Sequence, residues 1–465
     1  MHLPILRAGQ PYTSLDRLAV AHIATGEPLA QVSQANRGLI AHDLAAQERN
    51  RQALQALTIT ELVAICQRAA DLFLHAELPL GDDTQTPDDY VAQVSATTGL
   101  PQSLARANMD KIHRVGVEMP AVLSGLTRGL DLTVLDDGPS PLHFASHAQA
   151  LGCILPSNSP GVHALWLPAI PLKIPLVLKP GREEPWTPYR IAQSLIAAGC
   201  PPQALSYYPT DHSGSTEILL RCGRSLLFGG GPTVAPWRDD PRIQLHGPGR
   251  SKIIIGADKI DHWEHYLDLM VASIASNGGR SCLNASGIWV PAHGRAIAAA
   301  LGERLSQIQA RPLDDPQAQI AAFPNPAVAH QISALINGKL DDEAQDTARG
   351  QGERVAETGG CTFLNPTLIH ASDWQHPLAN TEYLFPFASV VEVPQEEVVA
   401  RIGPTLVATA LTDDEHLTRQ LLAAPHIERL NLGPIPTHEI AWDQPHEGNL
   451  FDFLYQQRAL QRRAG

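Results

Sequence analysis

Between residues 41 and 74 the chain reads AHDLAAQERNRQALQALTITELVAICQRAADLFL, with apolar positions at helical spacing and no proline. The pattern predicts one or two long amphipathic helices. Helical spacing resumes in YVAQVSATTGLPQSLARANMDKIHRVGVEMPAVLSGL and runs to about residue 126. From residue 150 the period changes. ALGCILPSNSPG is an apolar run that breaks into a Pro/Asn/Ser loop, and IPLVLKPG ends the same way; both read as short buried strands. A helix is expected between them, and PYRIAQSLIAAGCPP supplies the next, stopped by Gly199 and Pro201. SLLFGGG and SKIIIGAD add two further strands. Strands alternating with helices predict an α/β fold with a parallel, doubly wound sheet. Ligands of such sheets bind beyond the strands' carboxyl ends, where Asn158, Lys179 and Gly229 fall. No internal repeat appears, and the polar stretch from about 339 to 354 reads as a surface helix or loop.

Composition narrows the class. A chain of 465 residues calls for two or more lobes. Apolar residues at 44% and charged ones at 18% are an ordinary enzyme balance, and a net charge of −14 speaks against a nucleic-acid partner. The N-terminus lacks a basic stretch followed by an apolar core, and no run reaches ~18 apolar residues. A cytoplasmic location without signal peptide or membrane span is therefore expected. Six cysteines without CxxC spacing fit a reducing compartment and argue against zinc or a disulfide framework. DHWEH, with His262, Glu264 and His265, reads as a helix surface, so no metal is expected. One cysteine stands apart: in SNGGRSCLNASGIWV, Cys282 sits on a glycine-loosened loop just ahead of an apolar strand.

Together these stretches resemble the aldehyde dehydrogenase superfamily over roughly residues 40 to 455. The family's asparagine loop is similar to LPSNSPG with Asn158, its cofactor lysine strand to LVLKPG with Lys179 and Pro180, and its nucleophile loop to SNGGRSCLNASGIWV with Cys282. Its late glutamate–proline element is similar to TEYLFPFASVVEV, with Glu382 and Pro386. The resemblance implies a thiolate at Cys282 that attacks an aldehyde carbonyl, because thiolate is both a strong nucleophile and a tolerable leaving group. It implies Asn158 as an oxyanion donor, against the plainer reading that an asparagine between two serines shapes a turn. Lys179 would reach cofactor ribose or phosphate, and Glu382 the nicotinamide ribose. Gly229, Gly230 and Gly231 in FGGGPTV stand where the family's pyrophosphate loop lies, and small residues opening a helix admit a phosphate. The other five cysteines, Cys66, Cys153, Cys200, Cys222 and Cys361, read as small buried hydrophobes.

The departures from the family are informative. Its hydrolytic members carry a glutamate base in a Glu-Leu-Gly-Gly motif, and here the stretch is RIQLHGPGRSKIIIGAD. One register puts Gln244 at that position and the other His246. Glutamine cannot take a proton, whereas histidine can. A thioester without a carboxylate base suggests a CoA thiol as acyl acceptor, or acyl-CoA reduction to aldehyde, and the His-Gly pair is similar to fatty acyl-CoA reductases of the bioluminescence type. In KPGREEP an acidic residue of NAD-preferring members is replaced by Arg182, which mildly favours NADP, although Glu183 or Glu184 could restore the acidic role. WDQPHEGNLFDFLYQQRAL replaces the usual glycine-rich C-terminal element and should reshape the tunnel lip.

The expected fold is thus a Rossmann-type NAD(P)-binding domain over 1–130 and 150–245, a catalytic α/β domain over 246–430, and an oligomerisation arm over 131–149 and 450–465. The expected function is NAD(P)-dependent oxidation of a small aldehyde by a homodimer or homotetramer. CoA-acylating dehydrogenase or acyl-CoA reductase is the alternative, and a catalytically silent binding protein is the reading from another class.

Overall fold

Two seven-stranded sheets carry the fold, and the computed structural model describes residues 1–136, 142–348, 353–461 and 463. The first sheet runs in the order Ile243–His246, Gly223–Phe228, Ala150–Ile154, Leu176–Lys179, Leu205–Tyr207, Ile5–Arg7, Gln10–Tyr12. Its strands between residues 150 and 246 are parallel, and the N-terminal hairpin adds an antiparallel edge. Ala150–Ile154 is buried at every position, as a strand covered on both faces must be. Strands are added first on one side of Ala150–Ile154 and then on the other, starting with Gly223–Phe228. A switch of this kind opens a crevice at the carboxyl ends, and the loops carrying Asn158 and Gly229 flank it.

The second sheet has the order Ala344–Asp346, Thr367–Ala371, Phe387–Glu392, Ala285–Val290, Ser251–Ile255, Thr405–Leu411, Ile427–Leu432. It is parallel except for Ala344–Asp346. That antiparallel edge strand lies in the stretch expected to be a surface helix or loop; its pairing with Thr367–Ala371 overrides the polar local sequence. Residues 349–352 of the stretch lie outside the described residues.

Helices occupy most of 37–127 as the periodicity predicts, in more pieces than expected: Arg37–Leu44, Gln47–Gln55, Ile59–His75, Pro87–Thr98, Gln102–Val117 and Met119–Thr127, with a short hairpin of Leu78–Leu80 and Asp83–Gln85 between the third and fourth. Thr58 and Thr86 start two of them with reciprocal capping boxes to Glu61 and Asp89. The helix expected between Ile154 and Leu176 is instead two short 3-10 turns, Pro160–Leu165 and Leu167–Ala169. Pro160 and Pro168 lack the amide hydrogens that a longer helix would use. Leu142–Ser146 pairs with Tyr455–Ala459 in a two-stranded ribbon at the expected arm, of which 137–141, 462, 464 and 465 lie outside the described residues. Among the described residues no helix is long and apolar enough to cross a membrane.

The helix Trp186–Ala197 is buried almost throughout and carries Arg190, fully buried. Its guanidinium donates to Phe73 O at 3.0 Å, Gln85 O at 2.9 Å and Ala76 O at 2.6 Å. Burial pushes its pKa down to about 10, so it stays charged at neutral pH. Arg190→Leu strands three buried carbonyls, each worth about 1–3 kcal/mol. Urea unfolding should lose about 3 kcal/mol or more, and an unchanged midpoint would refute this account of the tie.

Candidate active site

Cys282 follows a loop whose path the glycines make possible. Asn277, Gly278 and Gly279 all have positive φ, at 52°, 64° and 70°. A Cβ on Gly279 would lie 2.3 Å from the Phe385 carbonyl carbon and Pro386 nitrogen, so the loop rests on the Glu382–Pro386 element and excludes a side chain there. Next comes Arg280, whose buried guanidinium donates to the carbonyl of Ala322 and lies over Phe323. Burial lowers its pKa to about 10. The carbonyl of Cys282 accepts from Ser251 Oγ at 2.8 Å. The backbone carrying the thiol is thereby fixed to the strand Ser251–Ile255.

The cysteine loop is also tied to the asparagine loop. Asn158 Nδ2 donates to Arg280 O at 2.7 Å, which brings Asn158 to the cysteine loop. Asn108, on Gln102–Val117, donates to Asn277 Oδ1 at 2.7 Å and accepts from Ser159 Oγ and Gly161 N. Asn277 in turn donates to Ser159 Oγ at 3.0 Å. This amide network locks the two loops together.

Cys282 is half-buried, whereas Cys66, Cys153, Cys200, Cys222 and Cys361 are buried as expected. Burial raises the Cys282 pKa well above that of a free thiol, and the carboxylates of Glu447 and Glu382 raise it further, while Lys111 opposes them. Lys111 extends from Gln102–Val117 into the site, and burial lowers its own pKa. It has no ion-pair partner among the described residues. Arg429, on Ile427–Leu432, also feels the thiolate and is lowered by burial. Neither cation figured among the sequence candidates. The available signal was Asn108 and Lys111 at i and i+3, a polar pair on one face of an otherwise apolar helix stripe.

Lys111 and Glu447, whose charges act on the Cys282 thiol, also line a cleft with Val115, Leu126, Leu165 and Trp442 among others. Gln244 and His246, alternate residues of one strand, both line it. The two registers therefore describe one wall. Gln244 Nε2 donates to Glu447 O at 2.6 Å, so its amide is engaged with backbone and is no base. His246 is buried, stacked on Phe228 with centroids 4.3 Å apart, and its Nδ1 lies 2.8 Å from Glu447 Oε2. Close as the two groups are, Nδ1, Nε2 and Oε2 form no hydrogen bond among the described residues. The C-terminal segment that departs from the family does form the lip, through Trp442, Gln444, His446, Glu447 and Gly448.

The cofactor candidates lie along the carboxyl edge of the first sheet. Lys179 ends its strand half-buried, its pKa lowered by burial and held up by nearby Glu183. Gly229 N donates to His246 O at 3.1 Å, Gly230 touches only Pro232, and Gly231 faces open space. The helix they open, Gly231–Val234, is only four residues long, so amides rather than a helix dipole are what the loop offers. Pro180 is buried, and Arg182 is exposed. Glu184 cannot restore the acidic role: it is fully buried, accepting from Thr187 N and Oγ1 and facing His163 Nε2 at 3.1 Å. Glu382 accepts from the amide of Arg250, and burial raises its pKa. His262 and His265 stack on each other on an exposed 3-10 helix, and no three potential metal ligands cluster among the described residues.

The model of the aldehyde dehydrogenase family covers residues 11–403. A betaine aldehyde dehydrogenase of Cereibacter sphaeroides is 26% identical over 424 residues, 86% of this chain and 82% of that protein. The 2-hydroxymuconic semialdehyde dehydrogenase of Pseudomonas sp. strain CF600 is 25% identical over 377 residues, 74% and 72% of the two chains. Among solved structures, the aldehyde dehydrogenase KauB from Pseudomonas aeruginosa superposes with a TM-score of 0.80 at 17% identity, covering 98% of this chain and 96% of that one. An indole-3-acetaldehyde dehydrogenase in complex with NAD+ gives 0.79 at 18%, covering 98% and 95%. With the family model spanning most of its length, the chain belongs to the aldehyde dehydrogenase family, oxidoreductases of the aldehyde group.

Proposed function

We propose that the protein oxidises an aldehyde with a nicotinamide cofactor through a thioester on Cys282, which water then releases. The observation that carries this is the bond from Asn158 Nδ2 to Arg280 O at 2.7 Å, which sets an amide donor beside the loop of the one cysteine that is not buried. Cys282 loses its S–H proton to solvent, the thiolate attacks the carbonyl carbon, the C=O π pair moves to oxygen, and the Asn158 amide donates to that oxygen. Collapse of this adduct expels hydride and leaves the thioester. A bound NAD or NADP would supply the hydride acceptor. Lys179 and Glu382 would hold its ribose hydroxyls, and the amides of Gly230 and Gly231, which make no backbone hydrogen bond among the described residues, its phosphates, with Gly229 shaping the loop through its bond to His246 O. Arg182, exposed past Lys179 with Glu184 occupied elsewhere, tilts the site toward NADP. The ribbon of Leu142–Ser146 and Tyr455–Ala459 has open edges and an exposed outer strand, which suits pairing with a second subunit in a homodimer or homotetramer.

A second reading has CoA as the acyl acceptor. It is favoured by the missing carboxylate at both Gln244 and His246, because a thiol of pKa ~8.5 is already a few per cent thiolate at pH 7 and needs less help than water. Rapid mixing with an aldehyde and NAD(P) separates the two. Water release gives a burst of NAD(P)H followed by steady turnover that CoA leaves unchanged. A burst that stalls until CoA is added would replace the first reading with the second.

A further inference from the structure

Glu447 belongs to the segment that departs from the family, and the fold brings it against Gln244 and His246, the two residues that the resemblance aligns with the family's base. Three contacts hold it there. Gln244 Nε2 grips its carbonyl at 2.6 Å. Gly448 passes so close to Gln244 that a Cβ would sit 2.5 Å from that same nitrogen. Arg429 donates to His446 Nδ1 at 3.0 Å, pinning the preceding residue. The Glu447 carboxylate then meets His246 Nδ1 at 2.8 Å. Both side chains line one cleft, Gly249, three residues on from His246, packs directly against Cys282, and the Glu447 charge acts on that thiol. His246 Nε2, His246 Nδ1 and Glu447 Oε2 are buried polar atoms without a hydrogen bond. Such groups cost about 1–3 kcal/mol each when left unmade and are expected to take up partners when the site is in use.

We propose that His246 is the base that replaces the family's glutamate, and that Glu447 is its positioning residue, delivered by the C-terminal segment. The assignment rests on release of the thioester by water. With Nδ1–H turned to the Glu447 carboxylate, Nε2 carries a free lone pair. Nε2 takes a proton from water as its oxygen bonds to the thioester carbon. The tetrahedral adduct then breaks its C–S bond, returns Cys282 as the thiolate and leaves a carboxylic acid. The imidazolium gives its proton to solvent, and the carboxylate of Glu447 stabilises it in the interval. No oxidant is consumed in this half of the reaction. The two residues share one role divided between them: a strand of the first sheet holds the base, and a segment distant in sequence holds its orienting charge.

The test is single-turnover and steady-state kinetics on the full chain with aldehyde and NAD(P), comparing wild type with Glu447→Gln, His246→Gln and the double variant. The burst should persist in all three, showing that nucleophile and cofactor site are intact. Deacylation should slow about tenfold in Glu447→Gln and on the order of 10²-fold in His246→Gln. The double variant should be no slower than His246→Gln alone, because Glu447 acts only through the imidazole. Hydroxylamine, a nucleophile that needs no base, should restore turnover in each. Unchanged deacylation in Glu447→Gln, loss of the burst, or additive effects in the double variant would overturn the pairing. Wild type that stalls until CoA is added would instead overturn water release itself, a separate result read from the unmutated enzyme.

Discussion

Cys282→Ala should abolish the burst of NAD(P)H, lowering hydride transfer by roughly 10⁴-fold or more, while NAD(P) binding stays within about twofold of wild type. The separation follows from position. The thiol sits on the loop between the second sheet and the Glu382–Pro386 element, whereas Lys179 and the glycine loop lie on the first sheet's carboxyl edge. Stopped-flow absorbance and a fluorescence titration of the cofactor measure the two properties independently. More than a few per cent residual activity would show that the covalent route is wrong for this protein. A wild type with no burst and no thiol labelling would favour the silent binding protein. The thiol's pKa adds a pH signature. Burial, Glu447 and Glu382 all raise it, so the reactive thiolate is scarce at neutral pH and grows as pH rises. Iodoacetamide labelling of Cys282 should accelerate into the alkaline range, and a plateau already reached at pH 6 would contradict the charge arrangement described.

Much of this site was legible because its chemistry is local in sequence. The apolar strand, the turn that follows it and the reactive residue come within a dozen positions for Asn158, Lys179 and Cys282, and each landed at a strand's carboxyl edge or on the loop so predicted. What stayed hidden depends on long-range packing. Lys111 looks like an ordinary solvated residue of an amphipathic helix until that helix is packed beside the thiol. Glu447 lies far along the chain from His246, and nothing in WDQPHEGN announces that Gln244 will draw its carbonyl into the cleft. Glu184 erred in the other direction. Its place after Lys179 suggested a ribose contact, but its carboxylate caps the helix Trp186–Ala197 through Thr187 and is out of reach of solvent.

The fold shows the same division. Ala150–Ile154, Leu176–Lys179, Gly223–Phe228, Ser251–Ile255 and Ala285–Val290 were found from their apolar runs, whereas Thr405–Leu411, though buried throughout, was not, and Ala344–Asp346, a polar edge strand, exists only because Thr367–Ala371 offers it a partner. The strands near the N-terminus were missed for the same reason: Ile5–Arg7 and Gln10–Tyr12 are three residues each and complete an edge that the rest of the sheet supplies.

Asn158→Ala should slow formation of the thioester by on the order of 10²–10³-fold, the cost of one oxyanion donor. The amide now donates to Arg280 O at 2.7 Å, so an incoming carbonyl oxygen must compete for, or share, its two N–H groups. The truncation removes the donor and also the tie between the asparagine and cysteine loops. The network of Asn108, Asn277 and Ser159 remains as a second link, which keeps the loops in place. Asn158→Asp distinguishes the two consequences, because it preserves the side chain's size but presents an acceptor where the oxyanion needs a donor. Both variants should lose the burst rate to a similar degree, keep melting temperatures within a few degrees of wild type and deacylate a preformed acyl-enzyme at most several-fold more slowly. A fast burst in Asn158→Asp would show that the residue only shapes the turn between Ser157 and Ser159, and that the developing negative charge is held by another group.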